Sequence, residues 1–274
     1  MNLSPYRQLF YSEVNKSDEK IDLAKAALYL ALEDDKEFEP NKYLDALNTM
    51  ANEVQETLPA TLYPLQIIKS INNYLYNDLG FSGNTIDYYD LRNSCLNQVI
   101  ERRTGIPITL SLVYLEIAKR INFSMVGIGM PGHFLIRPNF EEAGIYVDAF
   151  NKGEILFPQD CQEKLAKIYG QPLKLQPQFL ATVSNKQFLA RMLTNIKGIY
   201  WSQNERLKAI AAIDRILLLF PNAVMEKRDR GVLYYQLDIW AKAREDLESY
   251  IVNLPQADDA EIIRKLLAKI SQYQ

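Results

Sequence analysis

Near the middle of the chain, the run Pro107-Ile108-Thr109-Leu110-Ser111-Leu112-Val113-Tyr114-Leu115-Glu116-Ile117-Ala118 decides the fold. Thr104-Gly105 breaks the helical pattern before it, and Pro107 suits the first position of a new helix that reaches about Asn122. This helix is apolar nearly all round, so it is buried on most sides. Three strand-like runs follow it, at 124–129, 133–137 and 145–150. A buried helix that feeds an antiparallel sheet predicts an α+β architecture.

The rest of the chain is mostly helical, and we divide it into three regions. Residues 1–92 are rich in helix formers, with apolar side chains at three- and four-residue steps after Pro64. Residues 93–183 hold the buried helix, the small sheet and a connector rich in proline and glycine. Residues 184–274 form a separate helical module.

This last region repeats itself at an offset of 34 residues. Nine residue pairs match at that offset, including Ala209 with Ala243 and Pro221 with Pro255. Thirty-four residues, with small residues inside the helices and a proline at the end, is the tetratricopeptide period. We therefore expect two helix–turn–helix units and a final helix at about 257–272.

Composition limits the function classes. The chain is 48% hydrophobic and 24% charged, with a net charge of −3, which is typical of a soluble globular protein. Residues 158–274 carry 17 basic and 13 acidic side chains, an excess too diffuse to predict nucleic-acid binding. No run is apolar enough to span a membrane, and the start does not resemble a signal peptide. Two cysteines and one histidine do not suggest a disulfide framework or a zinc site. We expect a cytoplasmic protein without metal or cofactor, and leave its oligomeric state open.

The single histidine, His133, is the main candidate for chemistry. A hairpin centred on the connection 139–144 places His133 opposite Asp148 on the next strand. An aspartate that orients a histidine supplies two members of a nucleophile–base–orienter triad. The alternative is a structural pair that ties the hairpin together.

Several motifs together resemble the bacterial SirB family, whose members have a transglutaminase-like core followed by tetratricopeptide repeats. These motifs are Asn93-Ser94-Cys95-Leu96-Asn97, Gly105-Ile106-Pro107-Ile108-Thr109-Leu110, Pro131-Gly132-His133-Phe134, Asp148-Ala149-Phe150 and the segment 189–197. The resemblance covers nearly the whole chain and is weakest over residues 1–60. It implies a nucleophilic cysteine at the start of the buried helix, followed by a histidine and an aspartate on successive strands.

His133 and Asp148 match this pattern, but the nucleophile position falls on or near Pro107, which carries no nucleophile. Cys95, at the start of the preceding short helix, is the main candidate replacement, because a helix N-terminus favours a thiolate. Its alternative role is that of a small core residue. The hydroxyls of Thr109 and Ser111 are weaker candidates, since hydroxyls in helices usually bond to the backbone. Cys161 reads as an ordinary residue of the connector.

Two hypotheses of different classes follow. The first is a non-catalytic, degenerate transglutaminase-like protein, a pseudoenzyme that binds a protein or peptide partner through residues 184–274. The second is a cysteine-dependent acyl-transfer enzyme or peptidase that uses Cys95, His133 and Asp148. Binding to nucleic acid or a membrane is not expected.

Overall fold

The structure is a computed structural model, and it describes residues 5–32, 38–59, 63–140 and 144–272. The chain forms two compact units, residues 1–189 and 190–274. The finer division at residues 92 and 183 remains a prediction. No helix in the described ranges combines the length and the apolar character that a membrane crossing requires.

The first unit begins with helices that each have a local sequence cause. Asp22 precedes one of them and accepts a hydrogen bond from the Lys25 amide at 3.0 Å, which caps its N-terminus. Proline occupies the first turn of two others, where its missing N–H costs nothing. The helices are α1 (Pro5–Val14), α2 (Leu23–Ala31), α3 (Pro40–Thr57), α4 (Pro64–Asn72), which continues as a π-helical turn (Asn73–Asp78), and α5 (Leu96–Arg102).

Helix α6 (Pro107–Arg120) is the buried helix predicted from the sequence. Eleven of its fourteen residues are buried. Its N-terminus is fixed by Thr109, whose hydroxyl accepts from the Ile106 amide at 3.2 Å and donates to the Asn93 carbonyl at 2.7 Å. The helix is therefore anchored at its first turn to the segment that precedes α5.

A four-stranded antiparallel sheet follows α6, and its strands pair in the order in which they occur along the chain. Its strands are β3 (Met125–Ile128), β4 (Leu135–Pro138), β5 (Tyr146–Asp148) and β6 (Glu154–Leu156); a separate parallel pair joins β1 (Ser82–Gly83) to β2 (Thr104–Gly105). After the sheet comes α7 (Pro158–Tyr169). The predicted α+β class, with a small sheet packed on a buried helix, is confirmed.

The predicted hairpin register is wrong by two residues. Ile136 lies opposite Val147, so Asp148 is level with Leu135 and not with His133. A turn just before β4 accounts for the position of His133: its amide donates to the Met130 carbonyl at 3.0 Å, and Gly132 adopts a positive φ of 72°. This turn holds His133 outside the strand to which the sequence assigned it.

The second unit repeats its geometry at the predicted offset. Helix α9 (Arg206–Leu219) and helix α11 (Trp240–Asn253) begin and end 34 residues apart. Asn204 and Asp238, which precede them, both have a φ of 58°. The remaining helices are α8 (Asn185–Ser202), which spans the boundary between the units, α10 (Val224–Gln236) and α12 (Ala260–Ile270). The tetratricopeptide-like module and its final helix are confirmed.

Candidate functional site

His133 and Asp148 form a direct side-chain contact. The His133 Nε2 atom lies 2.8 Å from Asp148 Oδ2, although the two residues are not opposite each other in the ladder. Asp148 ends β5 and is fully buried, while the His133 side chain is 10% exposed. The other oxygen, Oδ1, accepts from the amides of Phe150 at 3.1 Å and Asn151 at 3.3 Å, which starts a short 3₁₀ turn (Ala149–Asn151).

Two further side chains bind the same aspartate oxygen. Lys164, on α7, places its Nζ 2.6 Å from Asp148 Oδ2. The side-chain nitrogen of Asn151, Nδ2, lies 2.8 Å from the same oxygen. Lys164 also reaches Glu154 at 3.3 Å. Neither residue was predicted from the sequence as part of the site. Asn151 had a local signal, since an aspartate often caps a turn two or three residues later. Lys164 had none, because its contact depends on how α7 packs against the sheet.

These contacts set the charge state of the site. Burial alone raises the pKa of Asp148, but the hydrogen bond from His133, the charge of that ring when it is protonated, and the bonds from Lys164 and Asn151 outweigh it and hold that pKa well below its usual range. Burial lowers the pKa of Lys164, but Asp148 and Glu154 raise it by a larger amount. The net pKa lies above the ordinary value, so the ammonium stays charged. The buried aspartate is therefore an anion that is already compensated by a lysine.

The ionised carboxylate also selects the tautomer of His133. A carboxylate only accepts hydrogen bonds, so Nε2 carries the proton and Nδ1 keeps its lone pair in the neutral ring. Nδ1 is therefore the atom available to a nucleophile or a ligand. A general-base step turns the ring into an imidazolium, which an aspartate normally stabilises. Lys164 weakens that support because it already balances the charge of Asp148.

Aromatic rings surround the pair. Phe150 packs edge-to-face against His133, with ring centroids 6.1 Å apart, and against Tyr88 at the same separation. A β-carbon on Gly83 of β1 would lie 2.6 Å from the Phe150 ring, so only glycine fits there. Tyr76 donates from its hydroxyl to the Ala149 carbonyl at 3.0 Å; burial, and then the charge of Asp148, raise its pKa far above its usual value. The turn after Asp148 is thus held from two sides.

Pro107 occupies the first position of α6 and is buried. Helix α6 packs against the turn Ala149–Asn151 that follows Asp148. The Thr109 hydroxyl is committed to backbone hydrogen bonds, and Ser111 is fully buried. The first turns of this helix therefore present no activated nucleophile of the kind that the resemblance implies.

The two cysteines occupy different environments. Cys95 is half-buried and precedes the first residue of α5, where its side chain makes no capping hydrogen bond. Cys161 lies on α7, fully buried against Ile128, Met130 and Leu156. Burial, assisted by the charge of Asp160, raises the pKa of the Cys161 thiol to about 12. Cys161 is therefore a core residue on a helix, whereas the sequence indicated an ordinary residue of the connector.

A cleft of about 630 Å³ opens on the Lys164 side of the pair, lined also by Asn151, Glu154 and Lys167. Its lining mixes acidic and basic side chains. Lys164 therefore stands between the buried aspartate and this cleft. Within the described ranges, no three His, Cys, Asp or Glu side chains are grouped so that they could hold a metal ion.

Comparisons with known proteins match both parts of the chain. A family model described as the transglutaminase-like superfamily matches residues 41–194, and a tetratricopeptide-repeat model matches residues 196–268. A UPF0162 protein of Xylella fastidiosa (strain 9a5c) is 33% identical over 270 residues, which cover 96% of this chain and 95% of that protein. A UPF0162 protein of Vibrio cholerae is 33% identical over 72% of this chain and 73% of its own length. F-box only protein 21 of Homo sapiens is 34% identical over 64% of this chain, which is 29% of that protein. No solved structure matches.

Proposed function

This chain belongs to the transglutaminase-like superfamily and continues into tetratricopeptide repeats, and we propose that it is a non-catalytic member that acts as a cytoplasmic protein-interaction scaffold. The resemblance to the SirB-type family drawn from its motifs is confirmed. The combination of core and repeats supports an interaction module. The two finer parts of the proposal, the absence of catalysis and the surface that binds the partner, rest on separate observations.

One observation carries the non-catalytic part of the proposal: a buried proline stands at the start of α6, where the resemblance implies a nucleophile. A transglutaminase-like reaction needs a thiolate there, because the helix N-terminus and the histidine together activate it. The retained His133–Asp148 pair supports the same conclusion, since its aspartate also serves Lys164. In this proposal the pair ties the sheet to α7.

The binding part of the proposal rests on the stacked helices of residues 190–274. We assign α8, α10 and α12 as the first helices of successive repeats, and call their combined surface the first-helix layer. Ion pairs join them: Lys197 contacts Glu226 at 2.8 Å, and Arg228 contacts Asp259 at 3.5 Å. Stacked helical repeats of this kind present an extended surface to a peptide or helix.

Exposed apolar residues allow this surface to be tested in the full-length chain. Met225 on α10 is 47% exposed and Ile262 on α12 is 61% exposed. The double variant Met225→Glu/Ile262→Glu is expected to lose the partner that the parent captures from extracts of its source organism. The matched control, Leu207→Glu/Val252→Glu, alters even more exposed residues of the second helices α9 and α11 and is expected to keep it. Equal capture by both double variants would exclude the first-helix layer as the binding surface.

The second candidate function is cysteine-dependent acyl transfer through Cys95, His133 and Asp148. The observation in its favour is the tautomer of His133, whose Nδ1 can accept a proton. Thiol labelling of the native protein tests it cleanly, because Cys161 is buried and has a raised pKa. In the proposed non-catalytic protein, labelling of Cys95 follows an ordinary thiol, with a midpoint near pH 8.5, and does not change in His133→Ala. Rapid labelling at pH 6 that is lost in His133→Ala would instead support the enzyme.

A further inference from the structure

The outer edge of the four-stranded sheet borders a second cleft in the first unit. Strand β3 is the edge strand, and the cleft beside it has a volume of about 620 Å³. Ligand sites commonly have volumes of about 300–1,000 Å³. All of its lining residues belong to the first unit, and neither Asp148 nor Lys164 is among them.

The pairing of β3 with β4 fixes the direction of each backbone group on this edge. The Ser124 carbonyl accepts from the Asn139 amide at 2.9 Å. From Ser124 onward, every second residue therefore directs its backbone N–H and C=O groups toward β4. Met125 and Gly127 therefore direct their N–H and C=O groups away from the sheet. Pro138 lies opposite Met125, which agrees with this assignment because proline has no N–H to offer.

Part of this edge is already covered by an extended segment of the same chain. The Val183 amide donates to the Gly127 carbonyl at 3.0 Å, and Thr182 forms an isolated antiparallel bridge with Ile128. A β-carbon on Gly127 would lie 3.1 Å from the Val183 side chain, so glycine permits this close approach. The edge thus accepts a short added strand at its C-terminal end.

The added strand stops before it reaches Met125, because the chain turns into α8 at Asn185. The first turn of α8 is held in place by Asp18, whose carboxylate accepts from the amides of Asn185 and Lys186, both at 2.9 Å. The outward N–H and C=O of Met125 are left facing the cleft. An exposed strand edge of this kind is a template for pairing with another chain.

The walls of the cleft suit an extended peptide. Apolar side chains line part of it: Ile21, Leu23, Leu115, Val183 and Phe188. Polar groups, among them Ser124 and Asn139, line another part, and Lys119 and Glu19 are exposed at it with opposite charges. Alternate side chains of an extended strand point to opposite faces, so one set meets the apolar wall while the main chain pairs with Met125.

We propose that this cleft binds a short extended peptide, which adds to the edge of β3 through main-chain hydrogen bonds to Met125. Binding by strand addition gives affinity through the backbone and selectivity through alternate side chains.

An array of heptapeptides with acetylated and amidated ends, applied to the full-length protein, tests the proposal. Bound sequences are expected to carry apolar residues at alternate positions. Met125 offers one outward C=O, so methylation of the single peptide nitrogen that faces it is expected to weaken binding at least about fivefold, whereas methylation of the nitrogen on either side leaves binding intact. Equal effects of methylation at all positions, or the absence of any bound peptide, overturns the proposal.

Protein variants supply the second arm. Met125→Pro removes the outward N–H without touching the ladder to β4, and we expect it to weaken binding about fivefold, as for one lost hydrogen bond. Met125→Leu keeps the N–H and is expected to bind as the parent does. If Met125→Pro does not fold, the methylated peptides still decide on the parent. Unchanged affinity in a folded Met125→Pro overturns the proposal, and so does a parent dimer that becomes monomeric in that variant, because the edge would then belong to a second copy.

Discussion

Replacing Asp148 with asparagine removes the anion at the centre of the candidate site while keeping its size. The parent side chain accepts five hydrogen bonds, and three of them converge on Oδ2 from His133, Asn151 and Lys164. Asparagine has one acceptor oxygen, so an NH₂ group must face either the two backbone amides or these three donors. In either orientation Lys164, whose side chain is 19% exposed, loses its buried anionic partner and keeps the ion pair with Glu154.

The expected cost follows from these contacts. Breaking a buried ion pair by removing one partner costs about 3–5 kcal/mol. Lys164 keeps partial access to water, so we expect the lower end, a loss of about 3 kcal/mol in the free energy of unfolding. With a urea dependence near 3 kcal/mol/M, the midpoint of unfolding falls by about 1 M. The matched control is Glu154→Gln, which removes a half-exposed carboxylate 3.3 Å from the same lysine and is expected to cost under about 1 kcal/mol.

The pH dependence gives a second, independent readout. The pKa of Asp148 is lower in the folded than in the unfolded chain, where it is about 3.9. Such a group stabilises the fold above the unfolded value, and the contribution is lost as the pH falls toward the folded one. The gap between parent and Asp148→Asn should therefore be largest near pH 7 and shrink below about pH 4. Equal urea midpoints for Asp148→Asn and Glu154→Gln, or a gap that stays constant down to pH 3, would refute this account of the site.

Two further predictions use matched controls elsewhere in the chain. Gly83→Ala is expected to destabilise the protein by about 1–3 kcal/mol, because its new methyl group overlaps Phe150. The control Gly198→Ala meets nothing within 4 Å and is expected to stabilise its helix by about 0.5–1 kcal/mol. Thermal unfolding checks both, and a neutral Gly83→Ala would contradict the packing. Arg230→Met is expected to cost about 2 kcal/mol in urea unfolding, because it leaves two carboxylates without the cation they share. Arg264→Met loses an exposed pair with Glu261 and an exposed hydrogen bond to the Pro255 carbonyl, and is expected to cost under about 1 kcal/mol. Similar costs for the two would argue against the Arg230 network.

Local pattern was enough to predict the helical parts of this protein. The apolar character of residues 108–118 identified α6, and the 34-residue offset predicted the matching ends of α9 and α11. An apolar surface on nearly every side identifies a buried helix. The repeats share helix ends because each repeat packs on its neighbour in the same way. The repeat even reproduces a side-chain contact: Lys208 lies over the Tyr200 ring at 5.3 Å, and Lys242 lies over Tyr234 at 5.4 Å.

The sequence by itself determined the α+β class, the repeat module and the association of His133 with Asp148. Only the tertiary structure decided how that pair is held, because β4 and β5 pair two residues out of the predicted register, a turn at Gly132 keeps His133 outside β4, and α7 brings Lys164 to the aspartate. A register depends on where a turn ends, and a contact between a helix and a sheet depends on packing; neither leaves a periodic signal in the chain. For that reason the sequence could indicate the histidine–aspartate pair, whereas the lysine that shares this aspartate emerges only from the fold.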